Sequence, residues 1–371
     1  MRITSAALLV FMMTTAVITA AQADILIGVA APLSGPNAVM GSDTLQSIIM
    51  AVTDLNDTGG LLGQQIRVIT ADDYCDPQQA VAAAHKLVDA RVALVIGHQC
   101  SGAAIPAAKI YAAAGMLFID GGATNPLLTE QGFRNVFRVV GRDDAQGTMA
   151  GDYLADHWSD KRIAIVHDGQ VYGGGLAEQT KKRLNERGTT ESMFEVIAPG
   201  ANDYSNLLEK LQAAHVDVIY FGGYAAEAGL ILRQLRDRGS NIPMITGDTV
   251  SDEAFWEITG AAGEGTLFTT ETDVRDKPQV ISIMKKHKVA YLHFDPNGYA
   301  SIQVWAQAAA SAGTLQPDAV ISILRREQFD TVIGKIGFDA KGDMTGIAPF
   351  VWDVWKDGQF FPTDTGEPTT Q

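Results

Sequence analysis

Cysteine is scarce in this chain: only Cys75 and Cys100 occur among 371 residues. That excludes a dense disulfide scaffold and a cysteine-rich metal centre. Positive charge is also short, with 28 Lys and Arg against 43 Asp and Glu and a net charge of −15. Such a balance repels nucleic acid and anionic lipid and chiefly serves solubility. Beyond the first residues no apolar run is long enough to cross a bilayer, so no direct membrane insertion is expected. Catalytic signatures are missing too: there is no HExxH and no G-x-S-x-G elbow, and the seven histidines lack ligand spacing. The reading therefore assigns no metal, no cofactor and no enzymatic activity, and expects a monomer that binds a small molecule.

What is present begins with an export leader. Met1 and Arg2 precede an apolar run from Ala6 to Ala21, and Ala21-Gln22-Ala23 offers a small-residue cleavage site after Ala23. No cysteine lies near that site to carry a lipid. The expected product is secreted and soluble, and longer than one core usually serves, so two lobes are expected. In an oxidising compartment Cys75 and Cys100 read as one disulfide. A zinc site through His98 and Cys100 competes, but ligands of matching spacing are missing.

The stretch from Ile96 to Pro126, IGHQCSGAAIPAAKIYAAAGMLFIDGGATNP, organises the rest. It reads as a strand ending near Gly97, a helix opening after Cys100 and Ser101, and a strand from Met116 to Ile119 that runs into Gly121, Gly122, Ala123 and Thr124. Pro106 places the helix start close before it, because proline is tolerated in a first turn. Ser101 and Thr124 then stand past the carboxyl ends of two consecutive strands, where open α/β sheets bind ligands and helix amino-termini favour anions. Singly, Ser101 reads as a helix cap and Thr124 as a turn residue. Together, beside glycines that let a ligand approach the backbone, they point to a carboxylate.

Strands and helices alternate throughout. Strands Asp24 to Pro32 and Ile66 to Ala71 flank a helix from Asp43 to about Leu55, and a helix from Pro77 to Ala90 follows. After a long helix, Asp143 to Trp158, a second run of the same kind ends in a strand at Pro243 to Thr246. Alternation of this kind implies right-handed crossovers and mainly parallel sheets. Helices near Pro278–His287, Gly298–Ala312 and Pro317–Glu327 precede a hairpin around Lys356-Asp357-Gly358. Gly173-Gly174-Gly175 lacks the lysine of a phosphate loop and reads as a tight helix entrance. Tyr172 and Tyr224 follow strands of the second run, and either alone reads equally well as core packing. Asp248, after the last strand of that run, is either a helix cap for Ser251–Ile258 or the partner of an ammonium. A carboxylate site on one rim, with aromatic walls and an acid on the other, describes a free α-amino acid. A Ser101 nucleophile with His98 as base has no evident carboxylate orienter.

IAIVHDGQVYGGGLAE, VIGHQCSG, DDYCDPQQAV, VIYFGGY, APLSGP and FDAKGD together resemble the periplasmic leucine/isoleucine/valine-binding proteins of branched-chain amino-acid ABC importers. The resemblance spans nearly all of the exported chain. It implies a type I periplasmic binding protein fold: two doubly wound parallel-sheet lobes joined by a three-strand hinge. The implied divisions are 1–23 leader, 24–142 with 271–348 as lobe 1, 143–270 with 349–362 as lobe 2, and 363–371 as a disordered tail. Residue by residue it implies that Ser101 and Thr124 bind the ligand carboxylate with the backbone of Gly122 and Cys100. Tyr172, Tyr224, Met40 and Tyr299 would line the pocket, and Asp248 stands where the family usually has a glutamate for the ammonium. The implied ligand is a branched-chain or other neutral aliphatic L-amino acid, and the implied partner a membrane permease. Three alternatives remain open: the same fold for short amides, urea or aromatic carboxylates; a secreted hydrolase using Ser101; and a sensor subunit.

Overall fold

The computed structural model describes residues 23–251, 253–348 and 350–363. The expected leader up to Gln22, most of the expected tail, and Pro349 lie outside the described residues.

The first half alternates as the sequence predicts: β1 (Ile25–Ala31), α1 (Ala38–Asp57), β2 (Ile66–Asp72), α2 (Pro77–Asp89), β3 (Val95–Gly97), α3 (Ser101–Ala113), β4 (Phe118–Asp120), α4 (Leu127–Glu130) and β5 (Val136–Arg138). These strands form one parallel sheet in the order β2-β1-β3-β4-β5. β1 is apolar throughout because both of its faces are covered. Ile25, Ile27 and Val29 enter a core with α1, whereas Leu26 and Ala30 pack toward α2 and α3. Gly97 ends β3 at φ 107°, where a Cβ would lie 1.7 Å from the Ala30 carbonyl oxygen. Only glycine lets the chain turn there toward Cys100 and Ser101.

The second run comprises α5 (Asp143–Trp158), β6 (Ile163–His167), α6 (Val171–Glu186), β7 (Met193–Val196), α7 (Ser205–Ala213), β8 (Val218–Gly222), α8 (Ala225–Asp237), β9 (Met244–Thr246), α9 (Glu253–Thr259) and β10 (Leu267–Thr270). The chain then returns to the first sheet through α10 (Pro278–His287), α11 (Pro296–Ala312) and α12 (Pro317–Leu324). A small antiparallel sheet follows, β11 (Phe329–Thr331), β12 (Gly334–Phe338) and β13 (Met344–Thr345), before the closing hairpin of β14 (Val351–Lys356) and β15 (Gln359–Pro362). The second sheet has the order β15-β14-β10-β9-β8-β6-β7, parallel except for that hairpin. The chain passes between the sheets at 139–142, at 271–277 and after Thr345.

One helix start differs from expectation. α1 begins at Ala38, not Asp43, and its cap residue Asn37 makes no side-chain cap bond. Asp43 therefore lies inside α1, where its carboxylate engages His293. Pro106 sits inside α3, which starts five residues earlier at Ser101 with Cys100 as its cap. By contrast, Asp76 caps α2 as such a residue should, accepting from the Gln78 and Gln79 N–H groups at 2.9 Å each.

One buried cation fastens the ligand-side loop of the first sheet. Arg138 is 0% exposed; its Nη1 donates to the carbonyls of Ala123 and Asn125 at 3.0 and 2.8 Å, on either side of Thr124. Its Nε and Nη2 reach Asp343 Oδ1 at 2.9 and 2.5 Å, and Arg142 Nη1 holds Asp343 Oδ2 at 2.5 Å. Cys75 and Cys100 form a disulfide across two rim loops, with Cα atoms 5.3 Å apart. Replacing Asp343 by Ala, which leaves Arg138 buried and unpaired, is expected to cost about 3–5 kcal/mol of stability in a denaturant titration. Replacing both cysteines by Ala should cost about 3.5 kcal/mol in the same titration, given a closed loop of 25 residues.

Candidate ligand site

The carboxyl ends of both sheets open onto one cavity of about 450 Å³. The first sheet contributes Ser101, Gly121 and Gly122; the second contributes Tyr172, Tyr224 and Asp248. All three inter-sheet passages add to the wall, with Val140 from the first, Thr270 to Asp273 and Arg275 around the second, and Ile347 and Ala348 from the third. Such a volume lies within the range of small-molecule sites, roughly 300–1,000 Å³.

On the first wall, Ser101 is 1% exposed and its Oγ accepts from the Asn125 N–H at 3.2 Å. Its hydroxyl proton remains available. The Gly122 N–H is already engaged, donating to Asp120 Oδ1 at 2.8 Å, so what Gly122 offers a ligand is its carbonyl. Burial pushes the Asp120 carboxyl up to about 7 against the pull of the Gly122 and Ala123 N–H groups. Gln99, 7% exposed, also lines the cavity and leaves Nε2 without a partner. Sequence reasoning passed over this donor because a lone glutamine after a strand carries no motif. Thr124 is 1% exposed and stands just behind the wall, outside the cavity lining, beside the buried Asp143. Cys100 lies there too, with its sulfur in the disulfide and its carbonyl accepting from Ala103 and Ala104.

On the second wall, the rings of Tyr172 and Tyr224 lie 5.2 Å apart at 46°. The Tyr172 hydroxyl donates to Asp248 Oδ1 at 2.6 Å, and Gln146 Oε1 accepts from the Asp248 N–H at 3.1 Å. Asp248 opens a 3₁₀ turn, Asp248–Val250. Burial holds its carboxyl above the ordinary range, and Tyr172 pulls it back down. The glycine run 173–175 belongs to the start of α6. A Cβ at Gly173 would lie 2.4 Å from both Asp168 Oδ1 and the Gly222 carbonyl oxygen, so close packing of α6 on β8 explains it. Met40 reaches the cavity from α1, and it packs on the cluster that joins Cys100 and Ala103 to Tyr172, Leu176 and Tyr224. The walls are therefore in apolar contact beside the disulfide, and Asn125 Nδ2 donates to the Val171 carbonyl at 2.9 Å across the cleft.

Tyr299 stands apart from this group. Its hydroxyl donates to Asp54 Oδ2 at 2.6 Å, and its ring lies in the core between α1 and α11. From that stretch Phe294, Asp295, Pro296 and Asn297 reach the cavity instead. The Asp295-Pro296 pair, a cap followed by proline at the first helical position, is the sequence signal that would have marked this rim. Both ring nitrogens of His98 are occupied, by Asp73 at 2.7 Å and Tyr111 at 2.9 Å. His98 thus has no nitrogen for Ser101, and a Ser101–His98 catalytic pair is not assembled. Among the described residues no cluster of His, Cys, Asp or Glu could hold a metal, and no helix is long and apolar enough to cross a membrane.

A two-lobed α/β receptor with its ligand cavity between opposed strand ends is the class that this fold and cleft define. The chain belongs to the periplasmic binding protein family, whose profile matches residues 24–358. It is 43% identical over 348 residues to the Leu/Ile/Val-binding protein homolog 1 of Brucella melitensis, covering 92% of this chain and 93% of that one. The leucine-binding protein LivK of Thermotoga maritima superposes with a TM-score of 0.83 at 25% identity, covering 91% of this chain and 97% of that one. An ABC-transporter substrate-binding protein of Desulfitobacterium hafniense, solved in complex with Leu, superposes at a TM-score of 0.75 and 27% identity, covering 92% and 100%.

One ionic contact crosses the cleft. His293 Nδ1 lies 3.1 Å from Asp43 Oδ1 on α1, and Nε2 lies 2.9 Å from Glu253 Oε2 on α9. Burial alone would lower the His293 pKa, but Asp43, Glu253 and Glu257 outweigh it and favour the imidazolium. Asp43 itself is raised, because its burial outweighs the pull of His293. With the folded pKa above the ordinary 6.5, the clasp's contribution is complete below that value and is lost as pH rises through the folded pKa. Thermal midpoints measured from pH 6 to 8.5 should fall more steeply for the unmodified protein than for His293→Gln; parallel curves would refute the clasp.

Proposed function

We propose that this chain captures a branched-chain or other neutral aliphatic L-amino acid in the cleft and delivers it to the membrane permease of an ABC importer. The observation that carries the reading is the opposition, across one cavity, of Ser101 and the Gln99 amide to the Tyr172–Asp248 pair. The first pair offers donors to a carboxylate, the second an acid to an ammonium, and Met40, Tyr224 and Phe294 supply apolar wall for a side chain. The Gly122 carbonyl adds an acceptor. Thr124 acts from behind the wall, and the disulfide keeps the Ser101 turn in place. Relatives named for leucine, isoleucine and valine binding support the ligand class. Residues 24–142 with 271–348 move as one lobe, and 143–270 with 349–362 as the other, pivoting on the three passages. The leader is removed after Ala23, and the product works in the periplasm.

The experiment is calorimetric titration of the exported chain with leucine, isoleucine and valine, first unmodified and then as Ser101→Ala and Asp248→Asn. Each substitution leaves one charged end of the ligand unpaired in a desolvated cleft, at about 2–5 kcal/mol, or roughly thirtyfold to a few thousandfold in Kd. Unchanged affinity in both variants would dismantle the site assignment.

A further inference from the structure

We infer that Glu271 is a second acidic anchor of the cleft, and that the receptor admits amino acids with a cationic side chain as well as aliphatic ones. The inference rests on the amino-acid reading of the site and names a further substrate class for it.

Glu271 follows β10 directly, on the second passage between the sheets, and lines the same cavity as Ser101 and Asp248. Its Oε1 is fully enclosed and has no hydrogen-bond partner. Burial disfavours its ionised form, and the acids Asp248 and Asp295 add to this against the pull of its own N–H and that of Gly141. The bases on this wall do not serve it. Arg275 is bound by Asp273 at 2.8 and 2.9 Å, and its guanidinium lies 4.6 Å from the Tyr291 ring centre and 5.0 Å from that of Phe360. No ion pair within the described residues joins Lys277 to Glu271.

A zwitterion with an aliphatic side chain brings one ammonium, and Asp248 with Tyr172 receives it. Glu271 is then superfluous, and its enclosed oxygen stays unsatisfied. A ligand that carries a second cation meets the Glu271 carboxylate where it lines the cavity, by a charge-assisted hydrogen bond. The methylene stem of such a side chain can lie on the apolar wall of Met40, Tyr224 and Phe294, as long cationic side chains do on protein surfaces. The cavity of about 450 Å³ has room for it.

The test is calorimetry at pH 7 with L-leucine, L-lysine and L-arginine on the exported chain, unmodified and as Glu271→Gln. The expected result is that lysine or arginine binds the unmodified protein, that Glu271→Gln weakens this at least tenfold, and that leucine affinity changes less than about threefold. Absence of binding by both basic ligands while leucine binds would overturn the inference and leave the amino-acid reading intact. Equal losses for leucine and the basic ligand would also overturn it, by making Glu271 a partner common to all ligands. Silence from leucine, isoleucine and valine as well would remove the amino-acid reading itself. A measurement on the unmodified protein stands apart from the variant's folding. Repeated in buffers of different ionisation enthalpy, lysine binding should release protons that leucine binding does not, and equal release would count against Glu271.

Discussion

The ligand side of the first sheet depends on Arg138. A guanidinium with no exposure to water must have its donors met, and here they are met by two carbonyls of the 123–125 loop, by Thr129, and by Asp343. The same Asp343 takes Arg142, one residue before α5, so a single acid from near the end of the chain fixes both the loop behind the cavity and the first passage. Burial of both partners makes the arrangement costly to loosen and therefore fixed in geometry. Thr124 owes its position to that constraint, and Ser101 joins the same loop by accepting from the Asn125 N–H.

The second wall uses a different device. Gln146, fully buried on α5, presents Oε1 to the Asp248 N–H and to the Thr269 hydroxyl at 2.7 Å, joining α5, β10 and the Asp248 turn. Asp143, at the start of α5, is also fully buried, and burial followed by the charge of Asp248 raises its carboxyl well above the usual range. Two acids held this close in low dielectric cannot both ionise readily. An ammonium entering beside Asp248 therefore finds an acid already primed to gain from it, which is the electrostatic logic of a receptor for a zwitterion.

Much of this was legible in the residues. The apolar run of β1, the strict alternation, the bounds of α5 and the closing hairpin follow from periodicity and turn chemistry, and so do the places of Ser101, Tyr172, Tyr224 and Asp248 at strand ends. What escaped was decided by tertiary partners. α1 starts ahead of Asp43, whose carboxylate meets His293 from 250 residues away instead of capping the helix, and no local cap rule registers that. Tyr299 faces the core because Asp54 on α1 receives its hydroxyl. Glu271 carries no motif of its own, and only the meeting of the second passage with both rims brings it to the cavity. Pro106 inside α3 shows that packing overrides the helix-start preference.

The first lobe is discontinuous in sequence, and this bears on how the molecule is made. Its larger core joins Ile25, Ile27 and Ile48 to Trp305, Leu324 and Phe329, partners separated by the whole of the second sheet's first run. A chain that emerges from its amino end cannot complete that core, begun by α1 on β1, until residues beyond 300 have appeared. Closure of so long a loop is slow, since its entropy is lost before the contacts that repay it are made. The second sheet, except for its last hairpin, is local and can condense first. The result is a first lobe whose core closes last, once residues beyond 300 join the amino-terminal strands.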